Sequence, residues 1–243
     1  MEKSFDITVF GATGFTGKFI LLEVLKTAKS AFPGQKLRVG VAGRSLERLE
    51  QLVNSLPSSA NFPDITLTII IADVKDEGSM RGMCRDSKTL IAAGMTTPKS
   101  SRFRYASVRG VVVNQRLVRL VDVFRCLSIA GPFRFLGEAV VNACIQEKCH
   151  YVDITGEPEF FENMTFKYHE QAKAAQVSII HVCGFDSIPA DMGVLYTKQQ
   201  LEKTRGALPS SIEMFFKLHI AGTAGFAGHY ATFESVCDTR PAE

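Results

Sequence analysis

The chain has 243 residues, 46% of them hydrophobic, and a formal net charge of +3. Its apolar runs, such as LTIIIA, are much shorter than the roughly 20 residues of a membrane-spanning helix, and the start MEKSFDITVF lacks the pattern of a cleavable secretory signal. We therefore expect a cytoplasmic protein with no transmembrane segment.

The cysteines and histidines do not predict a metal site. The five histidines show neither HxxxH nor HExxH spacing. No CxxC pair occurs among the cysteines, so in a reducing compartment we expect free thiols packed as small apolar residues. The six cysteines are Cys84, Cys126, Cys144, Cys149, Cys183 and Cys237.

The positive charge is concentrated in one segment, which we call the basic block, at about residues 92–125. It contains seven basic residues and one acid, Asp122, so the remainder of the chain is net negative at −3. Overall charge therefore gives no support to nucleic-acid binding. The basic residues are Lys99, Arg102, Arg104, Arg109, Arg116, Arg119 and Arg125.

Apolar runs alternate with helical patterns along the chain. In KFILLEVLKTAKS, apolar residues recur at i, i+3, i+4 and i+7, and SLERLEQLVNSL begins with a candidate N-cap, Ser45. GEAVVNACIQEKC and FENMTFKYHEQAKAAQ predict two further helices. The alternation predicts an α/β fold with a Rossmann-like, doubly wound parallel sheet. The predicted buried strands are Ile7–Phe10, Leu37–Ala42, Ile65–Ile71 and Val177–Cys183.

A glycine-rich loop joins the first strand to the first helix. Gly11, Gly14 and Gly17 form GxxGxxG, which lets a phosphate approach backbone N–H groups at the positive end of a helix. Thr13 and Thr16 could add hydroxyl donors. The alternative is a structural tight turn. A P-loop is excluded, because Ala12 stands where it needs Gly and Phe19 where it needs Ser or Thr.

The residues after the second and third strands bear on cofactor choice. A site for NAD places a carboxylate after the second strand, whereas this chain has Arg44 and Ser45, which suit the 2′-phosphate of NADP. The alternative is that Arg44 is a solvated surface residue. Asp73, after the third strand, could meet the adenine edge or form a turn. None of the five tyrosines is followed four residues later by Lys, so the proton-donor pair of short-chain dehydrogenases is absent.

Linked motifs give a family resemblance. GATGFTG, AGRS, GPFRFLGEAVVNACIQEKCHYVDITGEPEF and CGFDSIPADMGVLY occur in this order, and together they resemble the saccharopine dehydrogenase-like oxidoreductases, a family related to the trans-acting enoyl reductases. The resemblance covers about Ser4–Ile91 and Leu127–Thr232. It implies an NADP-binding Rossmann domain followed by an α/β substrate domain. It also implies that Gly11, Thr13, Gly14, Phe15, Thr16 and Gly17 hold the pyrophosphate, that Arg44 holds the 2′-phosphate, and that Gly131, Pro132 and Phe133 line the nicotinamide side.

Three acidic residues follow predicted strands in the second half of the chain. Asp153, Glu157 and Asp186 are candidates for the substrate side of the cleft, because ligands of open α/β sheets lie beyond the carboxyl ends of the strands. The alternative is that they serve as helix caps and loop hydrogen-bond acceptors. Spacing alone does not assign a general acid or base, so no catalytic residue is predicted.

Two features depart from the family pattern. KTLIAA and CLSIAGPF look like the two halves of one strand, separated by the basic block. Three explanations of the block stay open: a gene-model artefact, a genuine long surface loop, or a basic amphipathic element with Leu117, Leu120, Val121 and Phe124 at helical spacing. We assign residues 1–195 to the NADP-binding domain and residues 196–243 to the truncated start of the substrate domain. SSIEMFFKLHIAG is expected to be a strand of that second domain.

These features lead to three functional hypotheses. The first is an NADP(H)-dependent oxidoreductase that transfers a hydride to or from a small or lipid-like substrate, with peripheral association with membranes or lipid droplets. The second is a non-catalytic NADP-binding module. The third is an inactive, truncated product that does not fold.

Overall fold

The computed structural model describes residues 2–56, 62, 64–94, 111–113, 116–118, 133–185 and 187–215. The strands are β1 Phe5–Phe10, β2 Leu37–Gly43, β3 Ile65–Ile71, β4 Ser87–Ala92, β5 Val111–Val113, β6 Arg116–Val118, β7 His150–Asp153 and β8 Ile179–Ile180. The helices are α1 Gly17–Ala31, α2 Leu46–Ser55, α3 Glu77–Asp86, α4 Phe133–Gln146, α5 Pro158–Ala175 and α6 Ile188–Arg205.

Six strands form one parallel sheet in the order β3-β2-β1-β4-β7-β8. Val9 of β1 lies opposite Val41 of β2 on one side and opposite Ile91 of β4 on the other. The chain winds outward from β1 to β3, and then returns to the other side of β1 to form β4. This reversal creates a crevice between the carboxyl ends of β1 and β4, which is where doubly wound sheets bind their ligands. The predicted fold class is confirmed.

Neighbouring residues of the central strands pack into two separate cores. Val9 and Val41 belong to the core that contains Leu21 and Leu25 of α1. The residues that follow these valines in sequence, Phe10 and Ala42, belong to the core under α3, α4 and α5. Since successive strand residues point to opposite faces, the sheet is covered by helices on both sides. The helical period predicted for KFILLEVLKTAKS is thereby confirmed.

The predicted strand at Val177–Cys183 is shorter than expected. Only Ile179 and Ile180 pair with β7. Val182 has a φ of +63°, in the left-handed region, and extended strand geometry cannot continue through such a residue. The carboxylate of Asp153 accepts the Val182 N–H at 3.0 Å, so a side chain takes the place of the next strand partner.

The carboxyl-terminal part of the described chain also differs from expectation. Helix α6 was not predicted, and it runs continuously across the assigned domain boundary at residues 195 and 196. Residues 211–215 are not in a strand, and the remainder of SSIEMFFKLHIAG lies outside the described residues. Helix α3 was also missed. Its start is defined by the Asp76 side chain, which caps the N–H of Gly78.

Strand β4 ends where the basic block begins. It pairs with β1 between Ser87 and Ala92 and with β7 between Thr89 and Ala92, whereas its proposed second half, CLSIAGPF, lies largely outside the described residues. Within the block, β5 and β6 form an antiparallel pair in which Val112 lies opposite Leu117. The helical conformation considered from the sequence is therefore wrong at Leu117, because this residue is paired in a strand with the β-branched run of β5. The other residues of that helix lie outside the described part.

Four of the cysteines lie in the described part of the chain. Cys84, Cys144, Cys149 and Cys183 are free, and the first three are buried. None of the described helices is both long and apolar enough to cross a bilayer.

Candidate functional site

The glycine loop is held against the carboxyl end of the sheet by backbone hydrogen bonds. The N–H groups of Gly11 and Ala12 both donate to the carbonyl of Ala42, at 3.0 and 3.2 Å. Inside the loop, Gly14 N–H donates to the carbonyl of Gly11 at 2.9 Å. The loop therefore has a defined shape and a fixed position beside the end of β2.

A side chain at each of the three loop glycines would meet a different set of backbone atoms. Gly11 has a φ of +78°, and a Cβ there would overlap the carbonyl oxygen of Gly94, which follows β4. At Gly17 a Cβ would overlap the Gly11 carbonyl and lie 2.8 Å from Cα of Ala12, so this glycine lets α1 approach β1. At Gly14 the nearest atom would be the Gly11 oxygen at 3.0 Å. Packing thus explains Gly11 and Gly17, whereas at Gly14 a Cβ would make a tight contact without overlap.

Helix α1 begins directly behind the loop, with no acidic residue in its first turn. Its amino terminus therefore keeps the partial positive charge that favours an anion. Lys18 lies in that first turn, with its Nζ 5.2 Å from the ring centre of Phe19 and 5.9 Å from that of Phe15. Of the two threonines, Thr13 is exposed and Thr16 is buried. Only Thr13 is open to solvent for a direct hydroxyl contact.

Arg44 lies next to the glycine loop and is exposed. The register of β1 and β2 places Phe10 opposite Ala42, so Ala12 and Arg44 follow two adjacent strand ends, about 5 Å apart across the sheet. Arg44 is the first residue after β2. Ser45 is the N-cap residue of α2, but its side chain makes no capping hydrogen bond. Arg44 and Ser45 therefore present a cation and a hydroxyl where the sequence predicted them.

Asp73 lies at the same edge and forms a turn. Its carboxylate accepts the N–H of Lys75 at 3.0 Å, and its own N–H donates to the hydroxyl of Ser79 at 3.1 Å. This is the turn-forming alternative that the sequence left open. A contact with an adenine edge stays a prediction.

The carboxylate of Asp153 is completely buried at the end of β7 and accepts hydrogen bonds from four groups. Thr155 N–H and Val182 N–H donate to Oδ1 at 3.1 and 3.0 Å, and the Tyr151 hydroxyl donates to Oδ2 at 2.9 Å. His181 Nδ1 lies 2.6 Å from Oδ2. Burial, together with the charge of Asp153, raises the pKa of Tyr151 well above its usual value, so this phenol remains a donor.

Glu157 has a capping role in this structure. Its two carboxylate oxygens accept the N–H groups of Phe133 and Arg134, at 3.1 and 3.0 Å, which are the first two residues of α4. The glutamate is almost entirely buried and is also the N-cap residue of α5. Asp153 and Glu157 thus both make the loop and cap contacts named as their alternative, and a substrate contact by either stays a prediction.

Four candidates remain, of which only Phe133 lies among the described residues. Phe133 is fully buried, and its ring packs 5.8 Å from that of Phe160, so its side chain is enclosed by the protein. Gly131, Pro132 and Asp186 lie outside the described residues, and their roles stay predictions.

The edge of the sheet therefore brings together a glycine loop, a helix amino terminus and an exposed arginine. These groups fit a dinucleotide phosphate with an additional phosphate on its ribose. Sequence reasoning missed Gly94, whose carbonyl explains Gly11, because only the packing of β4 against β1 reveals it. It also missed the pairing of His181 with Asp153, since no spacing rule links residues 28 positions apart.

Comparisons with known proteins give the family relation. No family model matches the chain. It is 34% identical over 236 residues to the saccharopine dehydrogenase-like oxidoreductase of Mus musculus, a match that covers 96% of this chain and 46% of the mouse protein. It is 30% identical over 232 residues to the lipid droplet localized protein of Caenorhabditis elegans, covering 96% of this chain and 44% of that protein.

A bacterial protein is similar over a shorter range. The trans-acting enoyl reductase of Mycobacterium bovis is 32% identical over 194 residues, covering 79% of this chain and 35% of the reductase. The chain thus spans less than half the length of these relatives. The resemblance found from the motifs is confirmed.

Proposed function

We propose that the chain binds NADP(H) at the glycine loop and acts in hydride transfer, because 96% of it is similar, at 34% identity, to a saccharopine dehydrogenase-like oxidoreductase. The observation that carries this proposal is the exposed Arg44, which directly follows β2 and lies beside a loop fixed by the Ala42 carbonyl. A guanidinium at this position complements a ribose 2′-phosphate, whereas a site for NAD has a carboxylate there.

The residues of the chain bind and orient the nucleotide in this proposal, and the nicotinamide supplies the hydride chemistry. Gly14 lets the pyrophosphate approach the backbone, the amino terminus of α1 favours its charge, and Thr13 adds a hydroxyl. Arg44 and Ser45 hold the 2′-phosphate. Gly131 and Pro132 are proposed to line the nicotinamide side. We assign no catalytic acid or base.

The substrate proposed is lipid-like, with a carbonyl or enoyl group that accepts the hydride. Two names support this part: that of the nematode relative refers to lipid droplets, and that of the bacterial relative to enoyl reduction. Peripheral association with lipid droplets belongs to the same proposal. The proposed domain division, with residues 196–243 as the start of a substrate domain, also rests on the family relation.

The experiment that tests this function has two stages. Nucleotide binding is measured by fluorescence titration of the 243-residue chain with NADPH, and turnover by NADPH oxidation across a panel of carbonyl and enoyl lipids. Binding with turnover is the expected result. Binding without turnover on any member of the panel would instead favour the second candidate, a non-catalytic NADP-binding module. Absence of NADPH binding would contradict both candidate functions.

A further inference from the structure

The two edges of the six-stranded sheet differ in length. The β8 edge has only two strand residues, Ile179 and Ile180, and extended backbone stops at the left-handed Val182, whose N–H donates to Asp153. The β3 edge has seven strand residues, Ile65–Ile71, and among the described residues no strand lies on its outer side. An edge of this length presents a row of backbone groups with which another strand can pair.

The hydrogen bonds between β2 and β3 identify the backbone groups of β3 that face outward. Ala72 N–H donates to the Gly43 carbonyl at 3.0 Å, and the Asp64 carbonyl accepts the Leu37 N–H at 2.8 Å. The N–H and C=O groups of one strand residue point to the same side, and successive residues alternate. The even-numbered residues of β3 therefore face β2. The outward-facing residues are Ile65, Leu67, Ile69 and Ile71.

Most of the outward groups lack a partner. The N–H of Ile65 donates to the Phe62 carbonyl at 3.1 Å. The N–H groups of Leu67, Ile69 and Ile71 have no hydrogen-bond partner in the part of the chain that the structure describes. The edge of β3 therefore offers three donors to an incoming strand.

The residues of β3 do nothing to discourage such pairing. The sequence ITLTIII contains neither a charged residue nor a proline, which are the residues that usually block an open edge. Ile65, Leu67 and Ile69 pack against the core that contains Leu21. On the opposite face of the strand, the side chain of Thr68 is exposed.

We propose that two copies of this chain associate through β3, which pairs antiparallel with β3 of the second copy about a two-fold axis at Thr68. Leu67 then lies opposite Ile69 of the second copy, and the two residues exchange a pair of hydrogen bonds. Ile71 N–H donates to the carbonyl of Ile65 in the second copy. The two Thr68 side chains meet on the axis.

A second copy fits this edge for two reasons. The two-fold pairing gives a partner to each of the three outward donors, and it requires no donor from Ile65, whose N–H already bonds Phe62. The pairing also closes at two copies, because the β8 edge is too short to continue the sheet. The inference does not rest on nucleotide binding, so its failure and that of the proposed function are separate results.

The test combines sedimentation equilibrium with amide hydrogen exchange on the full 243-residue chain. We expect a reversible equilibrium between one and two copies. In the dimer the amides of Leu67, Ile69 and Ile71 should exchange slowly, and dilution to the monomer should speed their exchange by at least roughly tenfold. The amide of Thr68, which faces β2, should stay protected at both concentrations.

Charge variants at the axis test the pairing register. Thr68→Lys and Thr68→Glu each place like charges opposite one another, so each should weaken the dimer roughly tenfold. An equimolar mixture of the two variants should restore native affinity. Thr204→Lys changes an exposed threonine of α6 and is the control, which should leave the dimer unchanged.

Four results would each overturn the proposal. They are a chain that stays monomeric at every concentration, assembly beyond two copies, protection of the three outward amides that does not depend on concentration, and a dimer that Thr68→Lys weakens no more than Thr204→Lys does.

Discussion

The ammonium group of Lys3 donates a hydrogen bond of 2.6 Å to the carbonyl oxygen of Glu147, just after the last residue of α4. It also donates to the carbonyl of Cys84 in the last turn of α3, at 3.1 Å. One cation thereby satisfies carbonyls at the carboxyl ends of two helices, where the helix dipoles favour positive charge. The segment before β1 is in this way attached to the core beneath α3 and α4.

We expect Lys3→Met to lower the free energy of unfolding by about 1–2 kcal/mol, because it removes two charge-assisted hydrogen bonds but keeps most of the apolar stem. Urea denaturation measures the change. Lys26→Met is the matched control, since the one ion pair of Lys26 with a described residue is an exposed pair with Glu23 at 3.8 Å, and the variant should change stability by less than about 0.5 kcal/mol. Equal effects of the two variants would refute the capping role of Lys3.

The cap that Glu157 provides for α4 can be tested in the same way. Glu157→Ala leaves the N–H groups of Phe133 and Arg134 without their carboxylate acceptor, and we expect a loss of about 2–4 kcal/mol in unfolding free energy. Glu157→Gln retains one acceptor oxygen and should lose roughly half as much. A Gln variant as unstable as the Ala variant would show that the capping geometry is not the source of the stability.

The glycine loop offers a test that separates folding from binding. Gly17→Ala would force a Cβ into the Gly11 carbonyl, so we expect a loss of at least about 3 kcal/mol in unfolding free energy. Gly14→Ala meets its nearest atom at 3.0 Å and should destabilise the fold by about 1 kcal/mol or less while weakening NADPH binding at least about tenfold. Thermal unfolding and nucleotide titration of both variants make the comparison. Unchanged NADPH affinity in Gly14→Ala would count against a phosphate at this glycine.

Acid stability should depend on Asp6. Burial alone would raise the pKa of this carboxyl, but hydrogen bonds from Lys88 at 2.7 Å and from the Arg38 N–H at 2.9 Å lower it overall. A lowered folded pKa gives stability that is present above the unfolded pKa of about 3.9 and is lost as the pH falls through the folded value.

The comparison with Asp6→Asn isolates this contribution. The difference in unfolding free energy between the native chain and the variant should be constant above about pH 5 and should shrink below about pH 4. Denaturant titrations from pH 3 to pH 7 provide the curve. A difference that grows towards low pH would contradict the assigned sign.

The strands and the first helix could be predicted because their signals are local. The β-branched runs reflect strands that are buried on both faces, and the spacing of Leu21 and Leu25 reflects burial of one face of α1. Helix α3 was missed because its start depends on one capping side chain, Asp76, in a polar stretch. Strand β8 was overestimated, because its end is set by Asp153, a residue distant in sequence.

The same distinction between local and long-range signals applies to the residues of the candidate site. The glycine loop and Arg44 could be predicted, since both follow strands directly and their residue types match the chemistry of a phosphate. The hydrogen bonds of Asp153 and Glu157 could not, because each carboxylate is satisfied by backbone groups from other segments. Sequence position alone does not distinguish a carboxylate that faces a substrate from one that caps a helix.

The central claim is that Arg44 selects NADP over NAD, and fluorescence titration of the native chain with NADPH and NADH tests it most directly. Arg44→Ala should weaken NADPH binding by about 2–4 kcal/mol through loss of two charge-assisted hydrogen bonds, and should leave NADH nearly unchanged. Arg48→Ala changes an exposed arginine in the first turn of α2; it is the control and should have little effect on either nucleotide. Absence of NADPH binding to the native chain, or an equal loss for both nucleotides in Arg44→Ala, would contradict the account.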